Sequence, residues 1–435
     1  MVYKLIHQYG YQPDEIDLEK SVQFGTEVGT KAAGIIVYTD ATKETPKIIR
    51  GQDINDFFIE NADPIRIPKK NYDTPMMQRS HFLSGDVLLS IVGTIGSLSL
   101  VSDTIGEATG SCKIAILRSK RNYSPFCLAA FLMSKFGQLQ IKRNTRGAVQ
   151  MGLILKDLSR IRVPKFSEAD QTQIETIVKK SIWVNRQSKT IYAQAQHLLE
   201  SELVLDKLRF QKPVGYTARF SEMEQSRRMD AQHYQPQFSQ LLSHLAYFKS
   251  KRIRDIRTYN RRGLQPVYFE HGPIDVVNSQ HLGPQHIIYD GLQKASETAF
   301  AASSEGHIQM NDLLVYTTGA YIGRTNVYLR NAPALASNHV NILRLNSDID
   351  AAYMTLVFQS IVGQFQTQKY LRGSAQAELY PTDIDWFVVP LIDSSKQIAI
   401  GDLVRDSLEK QQESKCLLEQ AKTRVEQLIE EAVRS

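Results

Sequence analysis

A chain of 435 residues with 42% hydrophobic and 23% charged residues has the balance of a soluble globular protein, and it is too long for one core, so two or three domains are expected. The formal net charge of +6 permits nucleic-acid binding without requiring it. Three scattered cysteines without a Cys-x-x-Cys pair argue against a zinc site or disulfide framework and fit a reducing cytoplasm, while the absence of a secretory pattern and of any long apolar run argues against export or a membrane span.

Residues 1–165 read as a first globular part, rich in β-branched residues in short runs separated by turn formers. Its organising stretch is a strand, a glycine turn and a second strand, starting at Gly85-Asp86-Val87-Leu88-Leu89 and turning through Gly93-Thr94-Ile95-Gly96. Pro125 to Lys142 has apolar residues at helical spacing and is expected to be one helix embedded in this part. Val163-Pro164 closes it. A long helix then fills 166–211, starting near Ser167 and running to about Lys207. Its heptad seam is expected through Ile174, Ile177, Ser181, Val184, Ser188, Ile191, Ala195, Leu198, Glu202 and Leu205.

Lys212 to Glu224 reads as a connector. The second globular part, within 212–391, opens with Arg228-Met229-Asp230-Ala231-Gln232-His233-Tyr234-Gln235-Pro236, and Tyr11-Gln12-Pro13 echoes the end of that run. It carries a second strand–turn–strand, Asp312-Leu313-Leu314 followed by Gly319-Ala320-Tyr321-Ile322-Gly323, and a second embedded helix over Ala351 to Gln368. Val389-Pro390 ends it, and residues 392–435 form a second long helix, whose Ser394-Ser395-Lys396-Gln397 has the form of a capping box.

The two halves are copies. The paired aspartates give 312 − 86 = 226, and that offset also relates Ile116-Leu117-Arg118 to Ile342-Leu343-Arg344 and Gly137-Gln138 to Gly363-Gln364. It relates Arg146-Gly147 to Arg372-Gly373, Asp157 to Asp383, Val163-Pro164 to Val389-Pro390 and Gln171 to Gln397. A fixed offset through such different residue types marks an internal repeat. A helix of about 40 residues is on the order of 60 Å long, more than one small domain buries, so its economical partner is the other long helix. The expected fold is α+β: two β-rich domains, each followed by a long helix, with the helices paired as an antiparallel coiled coil of pseudo-twofold symmetry.

No phosphate-binding loop, dinucleotide fingerprint or base-flipping Asn/Asp-Pro-Pro-Tyr/Phe stretch occurs. Ser337-Asn338-His339-Val340-Asn341 has only a superficial likeness to a nuclease motif, and its counterpart in the first copy, Ser111-Cys112-Lys113-Ile114-Ala115, has no histidine. What repeats is glycines, prolines and strand apolars, with Gly93, Gly96, Gly319 and Gly323 as structural turn residues. What differs lies in the turns: Thr94 and Ser97 against Tyr321 and Arg324. One scaffold with divergent turns suits two related but distinct recognition surfaces. Basic and amide side chains near the embedded helices complete the candidate contact set: Arg143 and Arg146 in the first copy, Lys369, Arg372 and Gln376 in the second. A further basic run spans Lys249, Lys251, Arg252, Arg254, Arg257, Arg261 and Arg262. Such residues neutralise phosphates or read base edges, or simply face solvent.

The doubled order of Gly85–Leu89 with Gly93–Gly96, of Asp312–Leu314 with Gly319 and Gly323, and of Gln171 and Gln397 opening the helices resembles the specificity subunit of Type I restriction-modification systems. The lead-in Arg228–Pro236 and the closing Leu158–Pro164 and Val388–Pro390 carry the same resemblance. The chain departs from the family pattern at Asp170 and Lys396, where Glu usually precedes the helix-opening Gln, and in the shortened lead-in of its first copy. The resemblance implies a non-catalytic, cytoplasmic subunit with no cofactor of its own. Each domain reads one half of a split double-stranded DNA target, and the helix pair sets the gap. Two modification subunits, which bind S-adenosylmethionine, dock on it, and motor-nuclease subunits complete the enzyme. A duplicated scaffold that binds protein partners without reading DNA is the competing reading; an enzyme with an unrecognised site is a third.

Overall fold

The computed structural model describes residues 22–24, 45–54, 57–59, 64–119, 122–147, 151–210, 215–373 and 377–434. The Tyr11-Gln12-Pro13 echo and Gln376 lie outside these residues. The chain divides into two units: residues 1–186 with 411–435, and residues 187–410. Each unit therefore takes a β-rich part and one half of each long helix.

In the first unit the main sheet is antiparallel, in the order Val22–Phe24, Ile114–Leu117, Val87–Ser90, Leu98–Leu100. Both of its faces are covered, which is why these strands read as unbroken apolar runs. Val87, Leu89 and Leu117 pack towards the embedded helices, and Leu88, Ile114 and Ile116 pack on the other side with Ile49 and Ala108. Those last two belong to a small second sheet in which Lys47–Ile49 runs parallel to Ala108–Gly110.

The second unit repeats this plan. Its main sheet has the order Thr325–Val327, Leu313–Tyr316, Val340–Leu345, Arg257–Arg262, again antiparallel. Leu313, Val315 and Leu343 face the embedded helices; Leu314, Val340 and Ile342 face the second sheet, where Ile274–Val277 runs parallel to Ala334–Ala336.

Each embedded helix is broken in two, where one was expected. The first unit has Pro125–Met133 and Lys135–Asn144, the second Ala351–Gln359 and Ile361–Tyr370. Ser134 and Ser360 leave helical geometry at the break, and their side chains cap the next helix by accepting from Gly137 N (3.3 Å) and Val362 N (3.2 Å). The second helix turns back so closely that a Cβ on Gly137 would lie 2.3 Å from the Phe131 carbonyl, and one on Gly363 2.2 Å from that of Phe358. This close approach is the physical reason for the repeated glycine.

The long helices span Glu168–Glu202 and Ser394–Arg434. The first ends earlier than expected because Val204 takes a left-handed conformation (φ 53°), and a short 3-10 turn, Leu205–Lys207, follows. The second is not opened by a Ser394–Gln397 capping box: Asp393 accepts from the Ser395 N–H (2.9 Å), and Gln397 turns its amide back to the Ile392 carbonyl. Ser167 does cap the first helix, accepting from Asp170 N at 3.1 Å.

Within each unit the two helices pair antiparallel. In the first unit Asp170 meets Arg424 and Ser181 meets Ser414; in the second Ser188 meets Ser407 and Glu202 meets Lys396. At both serine pairs each hydroxyl donates to the carbonyl of the facing serine, at 2.7–2.9 Å, so these four serines are satisfied although buried. The seam runs through Ile174, Val178, Ser181, Asn185, Ser188, Tyr192, Ala195 and Leu199. Ile177, Ile191 and Leu198, expected in it, flank it and are only partly buried. No helix among the described residues is long and apolar enough to cross a membrane.

Candidate functional site

The repeat offset of 226 recurs as a repeated set of bonds. Asp86 is buried and takes two hydrogen bonds from Arg118 and one from Leu83 N, each 2.7 Å; Asp312 is bonded identically to Arg344 and Gln309 N. Gln140 bridges both backbone groups of Arg162, and Gln366 does the same at Val388. The Asp–Arg pairs tie neighbouring strands of each main sheet together, and the glutamines tie the embedded helix to the segment that leads into the long helix, which leaves the glycine turn as the variable element.

The turn has the same skeleton twice. Ser90 N donates to Ser97 O and Gly96 N to Ser90 O; in the second unit Tyr316 N donates to Arg324 O and Gly323 N to Tyr316 O. Gly93, Gly96, Gly319 and Gly323 all have positive φ, between 86° and 123°. Gly96 and Gly323 also lie against the embedded helix. Their carbonyls accept from Gln138 and Gln364, and a Cβ at either would meet Gln138 Oε1 or Thr367 Cγ2 at 2.7 Å. The turn is thus clamped at its base, while its tip is open: Thr94 and Tyr321 are exposed.

A second loop lies beside each turn. Arg146 pairs with Gly152 and Val92 with Gly152; Arg372 pairs with Glu378 and Thr318 with Glu378. These bridges tie Val92, at the start of the first turn, and Thr318, at the start of the second, to Gly152 and Glu378, the partners of Arg146 and Arg372. Arg146 is bonded to buried Asp157 at 2.6 Å, and Arg372 forks onto buried Asp383. Both arginines still expose more than half of their side chains. The signal for these pairs was in the sequence, since each Arg and its Asp eleven residues on repeat together.

Arg324 is partly buried. Its guanidinium lies 3.6 Å from the centroid of the Tyr321 ring, Nη1 approaches the Leu282 carbonyl at 3.5 Å, and burial pulls its pKa down. Among the described residues no carboxylate lies within ion-pair distance of it. Arg143 is exposed in the last turn of its helix. Lys369 is placed differently from an open contact: it is buried over much of its length, and Nζ donates to the His233 carbonyl at 2.9 Å. That bond belongs to a cap on the C-terminal end of Ile361–Tyr370. Arg228 donates to the carbonyls of Tyr370 and Leu371, and the His233 ring bonds that of Lys369. Cations at a helix C-terminus complement its dipole, so the Arg228–Pro236 lead-in has a framework role here.

The two α+β units thus share their framework bonds and differ in their exposed turns. The chain is similar to specificity subunits of Type I restriction enzymes, as its motif order implies: it is 26% identical to the EcoBI specificity subunit of Escherichia coli over 174 residues, which is 39% of this chain and 36% of that protein. The match thus spans about a third of the relative's length. No protein-family model matches. Among solved structures, the Type I S subunit from M. genitalium overlaps 96% of both chains at 10% identity and a TM-score of 0.44. The HsdS subunit from Thermoanaerobacter tengcongensis overlaps 89% of this chain and 90% of its own, at 14% identity and a TM-score of 0.29.

Proposed function

We propose that this chain is the DNA-specificity subunit of a Type I restriction-modification enzyme. The observation that carries the reading is the pair of glycine turns: one hydrogen-bonded skeleton, built twice and anchored by the same glutamine, presents Thr94 and Ser97 in one unit and Tyr321 and Arg324 in the other. Two heads of one design with different turn side chains suit a target of two different halves. The subunit is non-catalytic in this reading. The helix pair spaces the halves and receives two methyltransferase subunits, which supply S-adenosylmethionine, and motor-nuclease subunits add to these. Half-sites on one face of a duplex have centres near one helical turn, about 34 Å, or a multiple of it. A scaffold that binds only proteins has no need for turns that differ at their open tips.

Duplex binding by the full chain should fall steeply with salt, as phosphate neutralisation requires. Arg324→Ala separates the two ways in which the second turn can serve. Arg324 is already ordered against Tyr321, so a contact to a guanine edge would contribute about 1–3 kcal/mol of discrimination. Loss of preference at one position of one half-site, with the other half unchanged, is the expected result. A uniform drop for all sequences, with the salt slope reduced by about one, reassigns Arg324 to a phosphate. A folded variant with unaltered binding removes it from the interface, and duplex binding indifferent to salt favours the scaffold.

A further inference from the structure

The arginines of the basic run from Lys249 to Arg262 separate into two groups once their partners are traced. Arg257 is held by Asp385, Arg261 by Glu305, and Arg262 by Glu378 and the Leu379 carbonyl. Arg252 and Arg254 turn instead to Trp386: their guanidinium carbons lie 4.7 and 4.6 Å from its ring centroid. Among the described residues Arg252 has no carboxylate at ion-pair distance, and Arg254 has only exposed Asp255 at 3.6 Å. Both arginines are exposed, and the indole is 42% exposed.

This arrangement presents two ordered cations at one place, of which Arg254 has only the exposed Asp255 beside it and Arg252, among the described residues, has no carboxylate at ion-pair distance. A guanidinium over an indole loses side-chain freedom in advance and keeps its N–H edge available. That edge matches the fork of a phosphate. Arg252 and Trp386 also line a cleft of about 710 Å³ together with Arg228, Lys369 and Arg372. The cleft is already crowded with positive charge: burial and the neighbouring Arg228 together pull the Lys369 pKa down. Of the carboxylates on the cleft wall, Asp383 is taken by Arg372, and Glu222 accepts from the Arg219 N–H; Asp230 nearby is taken by Arg228. An anion entering the cleft would meet Arg252 at its wall.

We infer that Arg252, Arg254 and Trp386 form a phosphate clamp that grips the DNA backbone in the second unit, separate from the glycine turn. The inference rests on the reading of the chain as DNA-binding. The clamp is specific to the second copy at its aromatic centre. The residue at the repeat position of Trp386 is Arg160, which lies 3.3 Å from Asp157 and offers no ring.

The test uses the full chain, a duplex carrying its target, and a duplex of unrelated sequence, each titrated across salt. The double variant Arg252→Gln/Arg254→Gln should weaken both duplexes by about the same factor and lower the salt slope by roughly one to two, one for each phosphate released, with base preference unchanged. Ethylation interference should lose one or two phosphate positions on the half-site read by the second unit only. Trp386→Leu keeps both charges, so it should weaken binding while the slope stays. Arg261→Gln, removing a cation already paired with Glu305, should change neither. Unfolding midpoints establish that each variant is folded. Folded double variants with wild-type affinity and slope overturn the clamp, as does a loss confined to one duplex or a loss of protein assembly with DNA binding intact. A wild-type chain without salt-dependent duplex binding overturns the DNA reading itself, and the clamp with it.

Discussion

One heptad added at Asn185 together with one at Gln411 is expected to widen the gap between target halves by about three base pairs. Seven residues lengthen a helix by about 10 Å, and base pairs are spaced by about 3.4 Å. The insertion points sit beside the division between the units, which falls after Arg186 on one helix and after Lys410 on the other. A whole heptad preserves the seam: the serine pairs 181/414 and 188/407, each within its own unit, keep their partners. Both half-site sequences should therefore persist while their separation grows, read out by selecting bound duplexes from a randomised pool. A folded insertion variant that selects the original gap would remove the spacing role from the helices.

Asp312→Ala is expected to lower the stability of the second unit by on the order of 3 kcal/mol. The Asp312 side chain is fully buried, it accepts from Gln309 N and takes both hydrogen bonds of the Arg344 fork, each 2.7 Å. Its removal leaves a guanidinium and a backbone N–H without their acceptor, and breaking a buried pair from one side costs about 3–5 kcal/mol. Arg344 retains 26% exposure, so water recovers part of that cost and the low end applies. Asp86→Ala should act alike in the first unit, through Arg118. Denaturant unfolding of the full chain, followed by tryptophan fluorescence, measures the effect. A shift below about 1 kcal/mol would mean that the repeated Asp–Arg pair is dispensable for the fold.

The repeat was legible because its bonds are made by the repeating residues themselves. Asp86 with Arg118, Gln138 with Gly96 and Gln140 with Arg162 each have a counterpart made by the same residue type in the second copy, save that Val388 replaces Arg162, whose backbone alone is used. The breaks at Ser134 and Ser360 were less legible, because apolar residues continue at helical spacing across them; only the tight glycine contact three residues on betrays the turn. The seam was read partly one residue off. Ile177, Ile191 and Leu198 are apolar neighbours of Val178, Tyr192 and Leu199, and an α-helix drifts against a strict heptad. At the surface, a run of basic residues shows charge but not partners. Arg257 and Arg252 look alike in the sequence, and only the fold reveals that Asp385 holds one and Trp386 the other.

The measurement that bears most directly on a two-headed specificity subunit is selection of bound duplexes from a random pool, by the chain and by a chimera in which residues 14–164 come from a relative. The account predicts two short fixed blocks separated by a gap of constant length, of which one block alone changes in the chimera. A single uninterrupted block, no enrichment at all, or a change in both blocks would contradict it.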